Sequence, residues 1–249
     1  QIELPGAQVF VETVKEHRFL LVLRGKSLGG NVKDTDPSRL EVPPKQPVAR
    51  DDDSERTANL VSRFVDQATE ILKEEAKANG VILRGFSKRP RWPNFRQRYR
   101  LNGACLANYP MYRGVSRLVG MNVLANGVSF SEKIDVVEDK WGDYDFFFLH
   151  EKQPDATGEV GGFDRKVSVI EEIDSHLPAL RELDPDVLLV TGDHSTPAKM
   201  SYHSWHPVPT ILASENCRPD PVEEFGERPC LDGGLGVRFP AKELMPLAL

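Results

Sequence analysis

Short apolar runs on either side of one long amphipathic stretch characterise the second half of the sequence. The runs "DYDFFFLH" (143–150) and "DVLLVT" (186–191) have the length of buried strands. Between them, "FDRKVSVIEEIDSHLPALREL" (163–183) repeats apolar residues at the spacing of a helix face. Strands that alternate with a helix are typical of a largely parallel sheet covered by helices. The pattern predicts an α/β fold, with further strands at "GACLANYP" (103–110) and "VPTILAS" (208–214).

The first half predicts a smaller set of elements around a long loop. "HRFLLVLRG" (17–25) predicts a strand, and the Pro-, Gly- and Asp-rich loop after it has a length typical of functional loops. "SERTANLVSRFVDQATEILKEEAKANG" (54–80) predicts a helix with Ser54 as its N-cap and Gly80 beyond its end. "GVILRG" (80–85) predicts a second strand.

Composition argues against several classes of protein. A net charge of -6 disfavours nucleic-acid binding through the whole surface, and no run reaches the roughly 18 apolar residues of a membrane helix. The cysteines are three, widely spaced and without a CxxC pair, which favours reduced thiols in a cytoplasmic protein. One alternative stays open locally, because aromatic residues interleave the basic run 84–100 and permit stacking on single-stranded nucleic acid.

Both ends of the sequence resemble interior points of a chain. It starts at "QIELPGAQVF", without Met or a signal pattern, and stops at "KELMPLAL" inside an apolar helical pattern. We therefore expect these 249 residues to belong to a longer protein.

Carboxylates and imidazoles follow two of the predicted strands. Asp193 and His194 come directly after "DVLLVT", and the segment after His150 contains Asp155 and Glu159. Active sites of open α/β sheets lie beyond the carboxyl ends of the strands. Oxygen and nitrogen ligands without thiolate suit manganese, zinc or magnesium-type hydrolytic and phosphoryl-transfer centres better than structural zinc. In a phosphoryl transfer, two metals about 4 Å apart could hold the attacking and leaving oxygens. The nearby residues Lys152, His203 and His206 are further candidates.

Three arginines stand at places suited to binding anions. Arg24 and Arg84 each end a predicted strand before a glycine, and Arg113 lies in "YPMYRG". A guanidinium can form two parallel hydrogen bonds to a phosphate or a carboxylate. These three arginines are therefore candidates for binding a phosphate or a carboxylate.

Several motifs resemble those of one enzyme family. "YPMYRGVSRLVGM", "VTGDHSTP", "HSWHPVPTIL" and "ELMPLAL" are similar to motifs of the archaeal-type cofactor-independent phosphoglycerate mutases of the alkaline phosphatase superfamily. The resemblance runs along essentially the whole chain. It implies an incomplete three-layer α/β core interrupted by an inserted α/β lid. Residues 9–100 would form the lid, 101–249 the C-terminal half of the core, and 1–8 a connection from a preceding core segment.

The resemblance also implies two divalent metal ions, with manganese expected and magnesium, zinc or cobalt as alternatives. Asp193 and His194 resemble the ligands of one metal, and Asp155, Glu159 and His203 those of the other. The remaining implied roles are substrate binding and catalysis, carried by Arg24, Arg84, Arg113 and Lys152, with Arg113 and Lys152 in the catalytic group. Where relatives have Asp-Gly-Asp, this chain has Val-Gly-Gly (160–162), which removes local negative charge and is expected to weaken metal binding.

The activity implied is the interconversion of 3-phosphoglycerate and 2-phosphoglycerate in glycolysis through a phosphoserine intermediate. The family's nucleophilic serine precedes the lid, so we expect it outside these residues; Ser195 instead fits a capping role. The implied partner is a small phosphorylated substrate, with no nucleic acid and no membrane, and the oligomeric state stays open. Two alternatives remain: another metal-dependent phosphatase or phosphotransferase, and a non-catalytic module that binds phosphate ligands or nucleic acid.

Overall fold

The structure is a computed structural model that describes residues 2–15 and 17–249, in two compact units. The first unit extends to Arg91 and the second is Trp92–Leu249. The predicted boundary between lid and core, at 100/101, lies within the second unit, because Phe95 packs on Phe146 there with ring centroids 4.8 Å apart. The assignment of the two units as lid and core stays a prediction.

A hairpin and a helix build the first unit. The strands are β1 (Ala7–Lys15) and β2 (Arg18–Gly25), which pair antiparallel, and the helix is α1 (Glu55–Leu72). Helical spacing in α1 buries Leu60, Val61 and Phe64, and alternate residues of β2 such as Leu21 pack against them. The two periodicities in the sequence therefore produce one shared core.

Two local expectations for this unit were wrong. The helix ends at Leu72, well before Gly80, and the segment 80–85 forms no strand. Within that segment, the Leu83 amide donates to Thr35 Oγ1 at 2.8 Å and the Leu83 carbonyl accepts from the Thr35 amide at 2.9 Å. Because a single residue of the long loop satisfies both backbone groups of Leu83, no continuous partner strand is needed. Ser54 precedes the helix as expected, but its hydroxyl accepts from the Asn31 amide instead of capping α1.

The second unit contains two sheets and six α-helices among its described elements, besides short 3₁₀ turns. In chain order these are α2 (Phe95–Tyr99), β3 (Gly103–Ala107), α3 (Pro110–Leu118), β4 (Asn122–Ala125), α4 (Phe130–Asp139), β5 (Phe146–His150), α5 (Gln153–Glu159), α6 (Phe163–Glu182), β6 (Val187–Val190), β7 (Ile211–Ser214) and α7 (Leu244–Ala248). A parallel sheet has the order β4-β3-β5, and β6 pairs with β7 in a separate sheet. The predicted α/β organisation is confirmed.

The pairing of β6 with β7 departs from the largely parallel sheet expected from the sequence. These strands run antiparallel, from Val187 opposite Ser214 to Val190 opposite Ile211. A parallel pair needs a crossover connection, usually a helix, and the segment 191–210 contains no helix. That segment instead forms an irregular loop that carries candidate ligands.

β3 lies at the centre of the second unit's core. Its residues Ala104 to Ala107 are completely inaccessible to solvent, and alternate side chains point to opposite faces of the sheet. Cys105 packs with Met121 on one face, and Leu106 with Val137 on the other. Helix α6 contributes little to this core, because no residue in it is buried and Phe163 is 67% exposed. Within the described residues, no helix is both long and apolar enough to span a bilayer.

The N-terminus of α4 allows a first test of the fold. Ser129 and Glu132 form a capping box, in which the Ser129 hydroxyl accepts from the Glu132 amide at 3.2 Å and Glu132 accepts from the Ser129 amide at 2.6 Å. We expect Ser129→Ala to lower the free energy of unfolding by about 1 kcal/mol, because a helix-terminal amide loses its partner. Urea denaturation measures this. Ser131→Ala, at an exposed position of the same helix, is the control and should change stability by less than about 0.5 kcal/mol.

Candidate metal centre

Two strand ends carry the candidate ligands of the second unit. β5 ends at His150, and α5 begins three residues later and presents Asp155 and Glu159 one helical turn apart. Residues four apart in a helix lie on the same face. β6 ends at Val190, and Asp193 follows in the irregular loop. The side chains that follow β5 and β6 meet in one place.

The side chains that meet there are called the cluster, and three of them, Asp155, His194 and His203, form its centre. Asp155 Oδ1 lies 3.7 Å from His194 Nδ1 and 3.5 Å from His203 Nε2. Asp155, His194 and His203 each offer a ligand atom within 4.8 Å of the others. One carboxylate and two imidazoles at this separation fit a divalent metal such as Mn²⁺ or Zn²⁺. The residues present therefore satisfy the chemistry of a metal centre.

The two remaining predicted ligands flank these three. Glu159 Oε1 lies 3.3 Å from His203 Nε2, and Asp193 Oδ2 lies 3.6 Å from His194 Nε2. Both carboxylates are about half exposed, whereas the Asp155 side chain is 14% exposed. The structure thus brings all five predicted residues into one connected group, with Asp155 as its most buried member.

Thr196 organises the cluster, although the sequence analysis did not single it out. It is 4% exposed, its hydroxyl donates to Asp155 Oδ1, and that hydroxyl lies 3.1 Å from His194 Nδ1. The Thr196 hydroxyl has one proton and donates it to Asp155, so towards His194 it can only accept, from Nδ1–H. His194 Nε2 then carries no proton and is free to bind a metal. Lys166 Nζ, on α6, donates a hydrogen bond to the Thr196 carbonyl at 2.7 Å. The only sequence signal for Thr196 is its place in "VTGDHSTP".

Lys152 pairs with the central carboxylate. Its Nζ contacts Asp155 Oδ2 and lies 5.3 Å from the centre of the Tyr109 ring. Burial alone raises the pKa of Asp155, but the hydrogen bonds from Lys152 and Thr196 and the nearby positive charges outweigh it and hold the pKa below its usual value. Asp155 is therefore ionised at neutral pH and ready to bind a cation.

Tyr112 is a second residue that the sequence analysis did not identify. Its hydroxyl donates to Asp193 Oδ2, and its ring stacks on His150 with centroids 3.8 Å apart. Burial, followed by the hydrogen bond to Asp193, raises the pKa of Tyr112 far above its ordinary value, so the phenol stays protonated. Burial lowers the pKa of His150. The His150 ring stacks on Tyr112, and His150 is not one of the clustered ligands.

The predicted arginines lie in different places. Arg24 is exposed and stacks over Phe10 at 4.8 Å, and Arg84 pairs with Asp36 at 3.3 Å; both belong to the first unit. Arg113 belongs to α3 in the second unit, and its Nε is buried without a hydrogen-bond partner among the described residues.

His206 lies outside the cluster, stacked on Trp205. A cleft of about 300 Å³ opens beside Asp193 and His194 and is also lined by Trp205, His206 and Arg238.

Comparison with known proteins identifies the family. The model of the metalloenzyme superfamily matches residues 21–249. The chain belongs to this superfamily. Membership in the metalloenzyme superfamily implies divalent metal ions, in agreement with the donor set at the ends of β5 and β6.

Individual relatives agree with the resemblance seen in the sequence. The chain is 46% identical to a probable 2,3-bisphosphoglycerate-independent phosphoglycerate mutase of Thermus thermophilus, over 99% of the chain and 61% of that protein. It is 45% identical to the protein of the same name from Deinococcus radiodurans, over 99% of the chain and 62% of that protein. The chain therefore spans less than two thirds of the length of these curated relatives.

A solved structure supports the fold. The cofactor-independent phosphoglycerate mutase from Thermoplasma acidophilum is 26% identical and matches with a TM-score of 0.71, over 99% of this chain and 66% of that one. The expected alkaline-phosphatase-like α/β class is confirmed, and so is the resemblance to cofactor-independent phosphoglycerate mutases.

Proposed function

We propose that the chain is part of a 2,3-bisphosphoglycerate-independent phosphoglycerate mutase, which interconverts 3-phosphoglycerate and 2-phosphoglycerate through a phosphoserine. The observation that carries this proposal is the group of carboxylates and imidazoles at the ends of β5 and β6, in a chain 46% identical to a probable mutase of that name. A glycolytic substrate of this kind is a small cytoplasmic phosphate ester, so the proposal includes a cytoplasmic location and neither a nucleic-acid nor a membrane partner.

Two metal positions are part of the proposal. Asp155, Glu159 and His203 would hold one ion, and Asp193 with His194 Nε2 would hold the other. The contact of His194 Nδ1 with Thr196 supports this division, because it turns Nε2 towards Asp193. Mn²⁺ suits mixed carboxylate and imidazole ligands, and Mg²⁺, Zn²⁺ and Co²⁺ are the alternatives. When bound, such ions polarise the phosphoryl oxygens and activate the attacking hydroxyl.

The protein's own groups would bind and orient the substrate. Lys152 is a cation beside the cluster and is suited to the charge on the transferring phosphoryl group. Arg113 would take part in catalysis and in substrate binding, and Arg24 and Arg84 would bind the glycerate from the lid. The proposed lid corresponds to residues 9–100 and the proposed half-core to 101–249, joined by 1–8. The hydroxyl of Ser195 donates to the His206 carbonyl at 3.1 Å, which favours a structural role over that of a nucleophile.

A complementation assay tests the proposed function. The chain with Mn²⁺ is assayed for conversion of 3-phosphoglycerate to 2-phosphoglycerate, alone and mixed with a separately expressed serine-bearing segment. We expect no turnover by the chain alone, because a phosphoserine route needs its nucleophile, and recovery of activity on mixing.

Two other outcomes would contradict this assignment. Turnover by the chain alone that is lost in Ser195→Ala would make Ser195 the nucleophile. Metal-dependent hydrolysis of a simple phosphate monoester by the mixture, without mutase activity, would instead establish a phosphatase of the same superfamily.

A further inference from the structure

Lys133 is a buried cation that the proposed mechanism does not use. It lies in α4 and its side chain is completely inaccessible to solvent. Its Nζ donates to the His150 carbonyl at 2.9 Å and to Glu151 Oε2 at 2.8 Å. Burying the charge of a lysine destabilises the folded state unless the ammonium is paired and hydrogen-bonded. The contacts of Lys133 with Glu151 and the His150 carbonyl are therefore needed in the folded protein.

Glu151 extends this contact to the helix that carries the central ligand. Its second oxygen, Oε1, accepts from the amides of Lys152 at 3.1 Å and Gln153 at 3.2 Å. Gln153 is the first residue of α5, which presents Asp155 and Glu159. One carboxylate therefore bonds Lys133 through one oxygen and the start of α5 through the other.

We propose that Lys133 is a positioning residue for the metal centre and that it acts through Glu151. The lysine fixes the orientation of the Glu151 carboxylate, and that carboxylate fixes the first turn of α5, where Asp155 must face His194 and His203. The inference rests on the proposed metal function. The side chain of Lys133 is inaccessible to solvent, and its hydrogen bonds go to the His150 carbonyl and to Glu151, at the junction of β5 with α5.

Two variants separate a positioning role from a purely structural one. Lys133→Met leaves the Glu151 carboxylate, only 17% exposed, without its cation. The double variant, Lys133→Met with Glu151→Gln, also removes the negative charge that the single variant leaves unpaired. We therefore expect the double variant to regain much of the stability that Lys133→Met loses. Neither variant restores a charged pair that orients residue 151, so the metal affinity should stay low in both.

The experiment measures Mn²⁺ binding to the 249-residue chain by electron paramagnetic resonance, and unfolding in urea without metal. We expect the dissociation constant for Mn²⁺ to rise about 10- to 100-fold in both variants, the range typical of outer-shell groups that orient metal ligands. The spectrum of the bound Mn²⁺ should also change, because the Asp155 carboxylate moves. Lys140→Met, which removes a 42% exposed lysine next to the end of the same helix, should leave both readouts unchanged.

Each result decides between defined alternatives. Mn²⁺ affinity within about twofold of the parent chain in the double variant overturns the positioning role, even if the single variant fails to fold. If the parent chain binds no Mn²⁺, or binds it equally well after Asp155→Asn, the proposed metal function fails and this inference falls with it. Loss of binding in Asp155→Asn together with unchanged binding in the Lys133 variants rejects this inference alone.

Discussion

Asp155→Asn is expected to lower the affinity of the chain for Mn²⁺ by at least about 100-fold, more than the loss of an outer-shell group. Asp155 is the most buried carboxylate of the cluster and contacts both His194 and His203. An amide has no negative charge, and it also leaves Lys152 without its counter-ion beside the metal. Isothermal titration with Mn²⁺ measures the change.

The control for this prediction is Asp135→Asn, an exposed aspartate of α4 whose replacement removes the same charge. Mn²⁺ affinity should not change in that variant. Retention of tight binding in Asp155→Asn would show that the other side chains hold the metal without it, contrary to the proposed ligand set.

Gly158→Ala is expected to disrupt the centre through packing alone. A Cβ at this position of α5 would lie 2.3 Å from the Thr196 carbonyl oxygen and 3.2 Å from Lys166 Nζ. The carbonyl is backbone and cannot rotate away, so α5 and the loop around Thr196 must separate. We expect the free energy of unfolding to fall by about 3 kcal/mol, the upper part of the range for overpacked sites, and Mn²⁺ affinity to fall with it.

Gly142→Ala is the matched control for this substitution. A Cβ at Gly142 meets no atom within 4 Å, so the same chemical change should leave stability and metal binding nearly unaltered. Urea denaturation and Mn²⁺ titration of the two variants side by side measure the difference. Equal effects would mean that the close approach of α5 to Thr196 does not hold the centre together.

The errors in the sequence analysis have a common origin. The apolar residues of 80–85 match a strand, yet Leu83 finds both of its backbone partners in Thr35, which is distant in the sequence. The spacing of apolar residues in α6 predicts a buried face, yet Phe163 and Ile170 remain exposed in the described structure. A local pattern reports which residues favour burial, but it does not report which other element is available to bury them.

The sequence by itself determined the α/β class, through strand-length apolar runs alternating with helical periodicity, and it placed candidate metal ligands at the strand ends. Asp155 and Glu159 follow from their place after the strand that ends at His150, and Asp193 and His194 from their place after the strand that ends at Val190. Only the tertiary structure decided which side chains hydrogen-bond to the candidate ligands and to their helix. Thr196 bonds to Asp155 and His194. Tyr112 bonds to Asp193, and Lys133 bonds to Glu151. The physical reason is that the contacts of Thr196 with Asp155, of Tyr112 with Asp193 and of Lys133 with Glu151 join residues 18 to 81 positions apart in the chain, so they exist only after packing has brought their elements together.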